Sequence, residues 1–546
     1  MAEPSAAGKA EKPESAIYTP CLVTDRFLAE EAWIPSRETP FFWVHRFGSD
    51  PDGGLEDVEE FKYEGKIYRP VDGAALRKGL VFLPQIPKRC TFEKAFKEGC
   101  DLSFEIYDCE ESKRDELKFL VGVAQSSWFL DKFTGSFNVA GMGRFAPVIA
   151  LRGPSGSGKN RALNALRLNS YRPFYDQATN RVPSLFRPLD TWGGTLALDE
   201  MDLRFSDETS EVIHYLNCRA YGTPISRQNP EAVNKAEAFS NFGLTMVTQR
   251  RAWEDNATED RTLPFYCEKS QRDDLPTTEL DEWIEQGIEL QNMLLYLRLT
   301  FWDRIRLDKA ARVQGVRDHR LTSSVLPLLA LGTVAPGLST DLKGILLKLE
   351  RKRKEVKAQS PDGLIVNALY ERVTDGLLGE HNGIHYIGSA IDTKSDDMTV
   401  LPLSPKDLAD ELGWESKGVR KVVTSLQLCA RDAPRTARIG GKVFRPFWFT
   451  PDRLAARFRE FVLDYDDQVP DLYRGAGPVT SATPVTAQTD LGLTVTLVSD
   501  VTLPIPLTVP KGVDGNRDND SKTPDTMGSQ GQKSLDAVAI SDGGHS

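Results

Sequence analysis

The stretch from Val148 to Asn160 constrains this chain more than any other. Val148 to Arg152 is a short apolar run closed by one basic residue, and Gly153-Pro154-Ser155-Gly156-Ser157-Gly158-Lys159-Asn160 follows it directly. Ala162, Leu163 and Leu166 then recur at helical spacing. A strand, a glycine-rich turn, a lysine and a helix start in that order make a P-loop. Its glycines let consecutive backbone N–H groups curl around the α- and β-phosphates of a nucleotide, and the helix N-terminus adds positive dipole. Lys159 supplies a mobile charge for the β- and γ-phosphates. One position departs from the pattern. Ser or Thr normally follows the lysine so that a hydroxyl ligates Mg²⁺, and here Asn160 offers an amide oxygen instead. The competing reading is a glycine-rich turn in an ordinary α/β protein, so the partner motifs decide.

Those partners are present. Thr195 to Leu198 is a short, mostly apolar run ending in Asp199-Glu200, forty residues after Lys159, which leaves room for the intervening helix and strand. Asp199 is the expected Mg²⁺ holder through water, and Glu200 the residue that polarises the attacking water. Phe242 to Val247 forms another apolar run with a polar end, Thr248-Gln249. If that strand is inserted between the two motif strands, Thr248 or Gln249 orients the water. Arg261 precedes a last short strand and is the best candidate for an arginine finger, with Arg250 and Arg251 as helpers. Arg261 alternatively pairs with Asp255 or Glu259. Arg219 and Arg227 flank a turn-rich segment, either lining a channel or lying solvated in a loop. Arg320, on a helical stretch that follows, is a candidate nucleotide contact.

The chain has 546 residues, beyond what one core sustains, so three or so domains are expected. Its hydrophobic content of 40% and charged content of 27% describe a globular chain. No apolar run approaches the length of a membrane span. The first residues carry no signal-peptide pattern, and the seven cysteines lack ligand spacing, so reduced thiols and a cytoplasmic location are expected. A net charge of −11 means that nucleic acid can only be held by local basic patches. The expected divisions are a disordered 1–16, a small α+β module over 17–100, an ATPase core with helical lid over 101–335, a helical linker over 336–400, and a winged helix over 401–465. The remainder, 466–546, lacks aromatics after Tyr473 and reads as a disordered tail. An alternating run from Leu491 to Val498 within it suits strand addition to a partner. The aromatics near Phe41 to Trp43, and His45, are read as core rather than as ligands. The basic run Arg351 to Lys354 reads as the solvated face of a helix.

A second constellation lies at 403–449. Leu408, Leu412, Val419, Val422 and Leu426 fall on the inward faces of two helices joined at Gly413, and Gly440-Gly441 turns a hairpin after Arg438. Two helices and a hairpin read as a winged helix. Lys417, Arg420 and Lys421 begin the second helix and Lys442 lies on the wing, the positions that meet DNA. Protein docking is the alternative.

Taken together, Gly153 to Lys159, Leu196 to Glu200, the Thr248 strand, Arg261 and Arg320 resemble the AAA+ class of P-loop ATPases. With a winged helix behind them they look like the helicase-like ATPases of archaeal and phage or plasmid replication modules. That resemblance implies an α/β P-loop NTPase core with a parallel sheet and lid. It also implies ATP and Mg²⁺ as ligands, with Asp199 and Asn160 at the metal and Lys159, Glu200, Thr248 and Arg261 catalytic. The nucleotide is implied to lie against Gly153, Pro154, Ser155, Gly156, Ser157, Gly158, Lys159, Asn160 and Arg320. A homo-oligomeric ring, usually a hexamer, with Arg261 acting in trans and DNA as partner, completes the implication. The function expected is a DNA-dependent, helicase-like ATPase. The rivals are a AAA+ switch or loader that binds DNA without unwinding it, and an inactive nucleotide-binding scaffold.

Overall fold

The computed structural model describes residues 16–50, 54–133, 145–177, 182–201, 207–228, 236–253, 256–259, 261–272, 274–276, 278, 280–306, 313–316, 318–394, 399–430, 434–463 and 465, with two short strands beyond them. Strands β1 (Cys21–Val23), β2 (Phe27–Ala32), β3 (Phe41–Arg46) and β4 (Leu55–Val58) form an antiparallel sheet in chain order. Its aromatics pack inward, as alternation requires: Phe27 and Phe42 both meet Phe61 edge to face. Helices α1 (Phe92–Ile106) and α2 (Glu111–Ser126) follow. Thr91 caps α1 by accepting from the Lys94 amide at 3.2 Å.

Five strands build the central sheet: β5 (Val148–Arg152), β6 (Pro173–Gln177), β7 (Thr195–Asp199), β10 (Thr245–Gln249) and β11 (Thr262–Tyr266). Between them run α3 (Lys159–Asn169), α4 (Val182–Trp192), α5 (Asp207–Tyr221) and an antiparallel pair, β8 (Ile225–Gln228) and β9 (Ala236–Phe239). The spatial order is β11–β5–β10–β7–β6, and every pairing is parallel. This is an α/β, P-loop NTPase-like core. The expected insertion is found, because β10 lies between β5 and β7.

Parallel strands covered on both faces read as continuous apolar runs, and side-chain alternation divides them. Ile149, Leu151, Ala197, Met246 and Phe265 join a core with α1, α2 and α3. Ala150, Leu196, Leu198 and Val247 face the other way, onto α4 and α5. Helices α6 (Asp281–Phe301), α7 (His319–Ala330) and α8 (Pro336–Ala358) pack on the first face.

The N-terminal sheet is not a separate module. Glu30 of β2, 1% exposed, receives ion pairs from Arg172 and from Arg298 of α6, the latter at 2.8 Å, and accepts from the Tyr171 hydroxyl at 2.7 Å. Arg298 also grips Asp131 with two bonds of 2.9 and 2.7 Å. The Tyr171 ring lies 4.7 Å from one guanidinium and 4.5 Å from the other. The α1 helix of the expected 17–100 module likewise belongs to the main core.

A second core begins earlier than the sequence suggests. The stretch 336–400, expected as a helical linker, is helical through α8 and α9 (Pro361–Thr374) and then turns into strands β12 (Leu378–His381) and β13 (Ile384–Asp392). With β14 (Thr399–Pro402) these form a three-stranded antiparallel sheet. The reason is burial: α9 contributes Ile365, Val366 and Leu369 to the same core as the helices after it, whereas α8 lends Leu338, Leu342 and Leu346 to the ATPase-like core. Helices α10 (Pro405–Leu412) and α11 (Ser416–Ser425) form as read, joined through Gly413 at φ 65°. A capping box at Ser404 and Asp407 starts α10. The hairpin β15 (Ala437–Ile439) and β16 (Lys442–Phe444) and helix α12 (Pro451–Phe461) complete this part.

Residues 474–546 form a unit of their own, in which Ala487–Gln488 pairs with Thr494–Val495. The rest of the alternating run from Leu491 to Val498, Ser206, Arg317 and residues 1–15 lie outside the described residues. No described helix is long and apolar enough to cross a membrane. All seven cysteines are free thiols.

Candidate nucleotide and metal site

The P-loop leaves β5 at the carboxyl edge of the sheet, where β7 and β10 also end. Two glycines show why the loop needs them. A Cβ on Gly153 would sit 2.5 Å from the Cys267 carbonyl oxygen and from Ser157 Oγ. Gly158 precedes α3 at φ 79°, a left-handed conformation that costs other residues about 1–2 kcal/mol. Lys159 folds back along the loop, its Nζ donating to the carbonyls of Gly153 and Pro154 at 2.8 Å each. Ser157 is buried and its hydroxyl has no hydrogen-bond partner.

Asp199 is where the expected residues converge. The Asn160 amide donates through Nδ2 to Asp199 Oδ2 at 2.7 Å. The Thr248 hydroxyl donates to Oδ1 at 2.5 Å, and the Tyr175 hydroxyl stands 3.4 Å from Oδ2. An ionised carboxylate only accepts, so the amide nitrogen of Asn160 must face it and leaves Oδ1 of Asn160 for another partner. A Ser or Thr at this position would do the same two things with one oxygen, donating to the carboxylate and offering a lone pair. Asn160 separates donor and acceptor onto two atoms.

Glu200 follows with φ 58°, an uncommon conformation for a non-glycine residue. That twist turns its backbone N–H onto Asp199 Oδ1 and Thr248 Oγ1, both at 2.9 Å, and leaves the side chain exposed at the sheet edge. The Thr248 hydroxyl is thus committed to Asp199 and to the Glu200 amide. Gln249, 2% exposed and beside Arg152 in the sheet, has an amide nitrogen with no hydrogen-bond partner. Of the two water-orienting candidates, Gln249 keeps a donor in hand.

The site can be tested for fit to a nucleotide and its metal. Among the described residues no three His, Cys, Asp or Glu cluster as a metal cage. The Asp199 carboxylate and the Asn160 amide oxygen are the kind of donors that Mg²⁺ takes, one or two protein oxygens with phosphates and waters completing its shell. Together with the unpartnered Ser157 hydroxyl inside the loop, they fit a phosphate-bound Mg²⁺ at Asp199 and Asn160.

The arginines separate by location. Arg261 directly precedes β11, whose Thr262 pairs with Val148 and whose Tyr266 pairs with Arg152. Arg261 is therefore at the edge opposite the P-loop, about 16 Å along the strand direction. Its Nη1 donates to Asn217 at 3.0 Å and its guanidinium stands 5.0 Å from the Tyr221 ring. The structural pairing with Glu259 does not form. Arg152 holds Glu259 with two bonds of 2.7 and 2.6 Å, and Asp255 lies outside the described residues. Arg250 and Arg251 are exposed just past β10, at the P-loop edge. Arg219 is neither a channel residue nor solvated. It is fully buried, donating to Asn241, Leu244 and Gly194 carbonyls and to the Thr245 hydroxyl, and burial lowers its pKa. Arg219 stands in the last turn of α5, not in a loop, and its guanidinium serves three carbonyls near the amino edge of the sheet. The side chain of Arg227 lies outside the described residues. Arg320 is exposed at the start of α7 and lines a groove against α8 and α12 that contains no P-loop residue. Sequence reasoning missed Arg152 and Tyr175. Each lies within two residues of a strand's carboxyl end, which is the signal that marks them.

Lys417, Arg420 and Lys421 are exposed on α11, and exposed Lys442 stands 3.8 Å from Asp392.

No protein-family model matches the sequence, and no curated protein matches it. Among solved structures, the chain is similar to the apo A form of the NrS-1 C-terminal region at 13% identity, over 77% of this chain and 97% of that one, with a TM-score of 0.33. It is similar to the SCCmec type IV Cch helicase at 11% identity, over 79% and 96% of the two chains, with a TM-score of 0.31. A JCV helicase matches at 13% identity over 45% and 74%, with a TM-score of 0.19.

Proposed function

We propose that this chain is a Mg²⁺-dependent ATPase of the AAA+ type that works on DNA as a homo-oligomeric, helicase-like ring. The observation that carries the ATPase reading is the Asp199 carboxylate, held by Asn160 on one oxygen and Thr248 on the other at the mouth of the P-loop. The order of the sheet, with the Thr248 strand between the two motif strands, supports it.

In this reading, the loop amides from Gly153 to Gly158 take the α- and β-phosphates, and Lys159 exchanges its two carbonyl partners for the β- and γ-phosphates. Asn160 Oδ1 and Asp199 hold Mg²⁺, which when bound neutralises phosphate charge. Glu200 accepts a hydrogen bond from the water that attacks the γ-phosphorus in line, and ADP leaves from the opposite side. Gln249 donates to the γ-phosphate or that water. Arg261 cannot reach its own P-loop from the opposite edge, so it serves a neighbouring subunit, leaving Asn217 and Tyr221 to do so. Arg320 lies away from the loop and acts elsewhere. The helices α10 and α11 with the β15–β16 hairpin form a winged helix that engages DNA through Lys417, Arg420, Lys421 and Lys442.

Steady-state ATP turnover of the full chain tests this directly. Lys159→Ala and Glu200→Gln are each expected to lower turnover by about a hundredfold or more. Rates equal to wild type in both variants would contradict the mechanism.

A further inference from the structure

The basic run of α8 does not behave as one solvated face. Helical periodicity splits it. Lys348 and Lys352, one turn apart, point to α2 and pair with Asp115 and Glu116. Arg351, Arg353, Lys354 and Lys357 turn instead into a groove of about 830 Å³ between α8, the start of α7 and helix α12. Arg320 and Arg459 face them from the other walls.

Six cations thus line one recess. Three carboxylates share it, and each is engaged: Asp318 with Arg353 at 3.7 Å, Glu460 with Lys357 at 3.6 Å, and Glu350 with the Asp318 amide at 3.3 Å. The lining holds six cations to three carboxylates, with Glu355 just outside it 3.5 Å from Arg351, in a chain whose net charge is −11. Against that background a local excess is an address for a polyanion. His319, exposed in the lining, adds a ring beside the cations, whereas the Tyr465 ring packs on Tyr370 and Phe458.

We infer that this groove binds the sugar–phosphate backbone of single-stranded DNA, with the exposed His319 ring as a stacking face. This deepens the proposed function and rests on it, since it names where the strand lies outside the α11 surface. A single strand is favoured over a duplex because the recess, about 830 Å³ between three helices, has the volume of only a few nucleotides. From Leu347 to Lys357 the α8 wall runs about 15 Å. Guanidinium groups dominate the lining, and these grip phosphate with paired donors. Arg320, which sequence reasoning assigned to the nucleotide, becomes a DNA contact.

The test is fluorescence anisotropy of labelled oligo(dT) with the full chain over a salt series. It compares wild type, Arg351→Glu/Arg459→Glu, and Lys417→Glu/Lys421→Glu. Arg351 and Arg459 are exposed and are placed in neither the ATP site nor the core, so DNA-free ATP turnover and apparent Tm are expected to stay at wild-type values. Affinity should fall at least tenfold in the groove variant, and the log–log salt slope should shrink by about 1 to 2, since each single-strand phosphate contact contributes about 0.7. Wild-type affinity in the groove variant, with loss in the α11 variant, would overturn the groove while leaving a DNA-dependent ATPase standing. Duplex binding that exceeds oligo(dT) binding and depends on the groove would overturn the single-strand assignment. Absence of any oligo(dT) binding by a wild-type chain that hydrolyses ATP would overturn both the groove and the DNA dependence.

Discussion

Asn160 stands where a hydroxyl is usual and donates to Asp199, and in the proposed mechanism its amide oxygen takes the hydroxyl's second job at Mg²⁺. Removing the amide should therefore loosen Asp199 and remove a metal oxygen together. Asn160→Ala is expected to raise the Mg²⁺ concentration for half-maximal turnover by about tenfold to a hundredfold, as losses around a metal site commonly do. Asn160→Ser, which keeps a donor and an oxygen, should titrate near wild type. Equal Mg²⁺ titrations for Asn160→Ala and wild type would show that residue 160 serves only to pack. The sequence pointed to Asp199, Thr248 and Lys159 because strand ends and glycine spacing place them. It could not show that Thr248 is committed to Asp199, since that depends on the twist at Glu200. A second residue carries a pH signature. Burial pushes the Glu31 carboxyl up to about 8, its Oε1 lacks a partner, and its Oε2 accepts from the Val71 amide at 3.0 Å. The folded chain thus holds a proton that the unfolded chain has released above ordinary carboxylate pH. Stability from this group is full below about pH 4.5, falls as pH rises, and levels off above about 8. Glu31→Gln should flatten that decline in apparent Tm between pH 5 and pH 8, leaving the variant the more stable at the upper end. A decline as steep as wild type would exclude Glu31 as its source.

Elements that looked independent in the sequence are joined by charge buried between them. Glu30 on β2, Arg172 before β6, Arg298 on α6 and Asp131 after α2 form one hydrogen-bonded set around Tyr171. No local pattern announces it, because its members are scattered over more than 250 residues and each reads as an ordinary charged position. Removing one partner leaves buried guanidinium groups uncompensated. Glu30→Ala is expected to destabilise the chain by about 3–5 kcal/mol, read as a lower denaturation midpoint. A midpoint at the wild-type value would mean that water or backbone carbonyls satisfy both arginines. The same logic explains Arg219, which its sequence context of turn residues marks as a loop charge but whose side chain closes the amino edge of the sheet. The central strands were legible from apolar runs and the insertion of β10 between β5 and β7 was read correctly, but the strands β12 to β14 were missed. The boundary near residue 360 was not, because α8 and α9 are both helical and only their burial partners differ.

At the scale of the whole molecule, the placement of Arg261 decides what assembly the site needs. It lies at the opposite edge from the P-loop of its own sheet, so in the proposed mechanism a second copy completes the site. Mixing inactive Glu200→Gln and Arg261→Ala chains should restore turnover, because some interfaces then carry both an intact Glu200 and an intact Arg261. A mixture as inactive as its components would place the finger elsewhere. The two surfaces proposed for DNA, on α11 and in the α8 groove, both belong to the part of the chain after the central sheet. The most direct measurement is ATP turnover of the full chain with and without oligo(dT), paired with native mass in the presence of Mg²⁺-ATP. Turnover is expected to rise several-fold with the single strand, with a closed oligomer in the mass spectrum. Slow turnover from a monomer that ignores DNA would contradict the proposed mechanism.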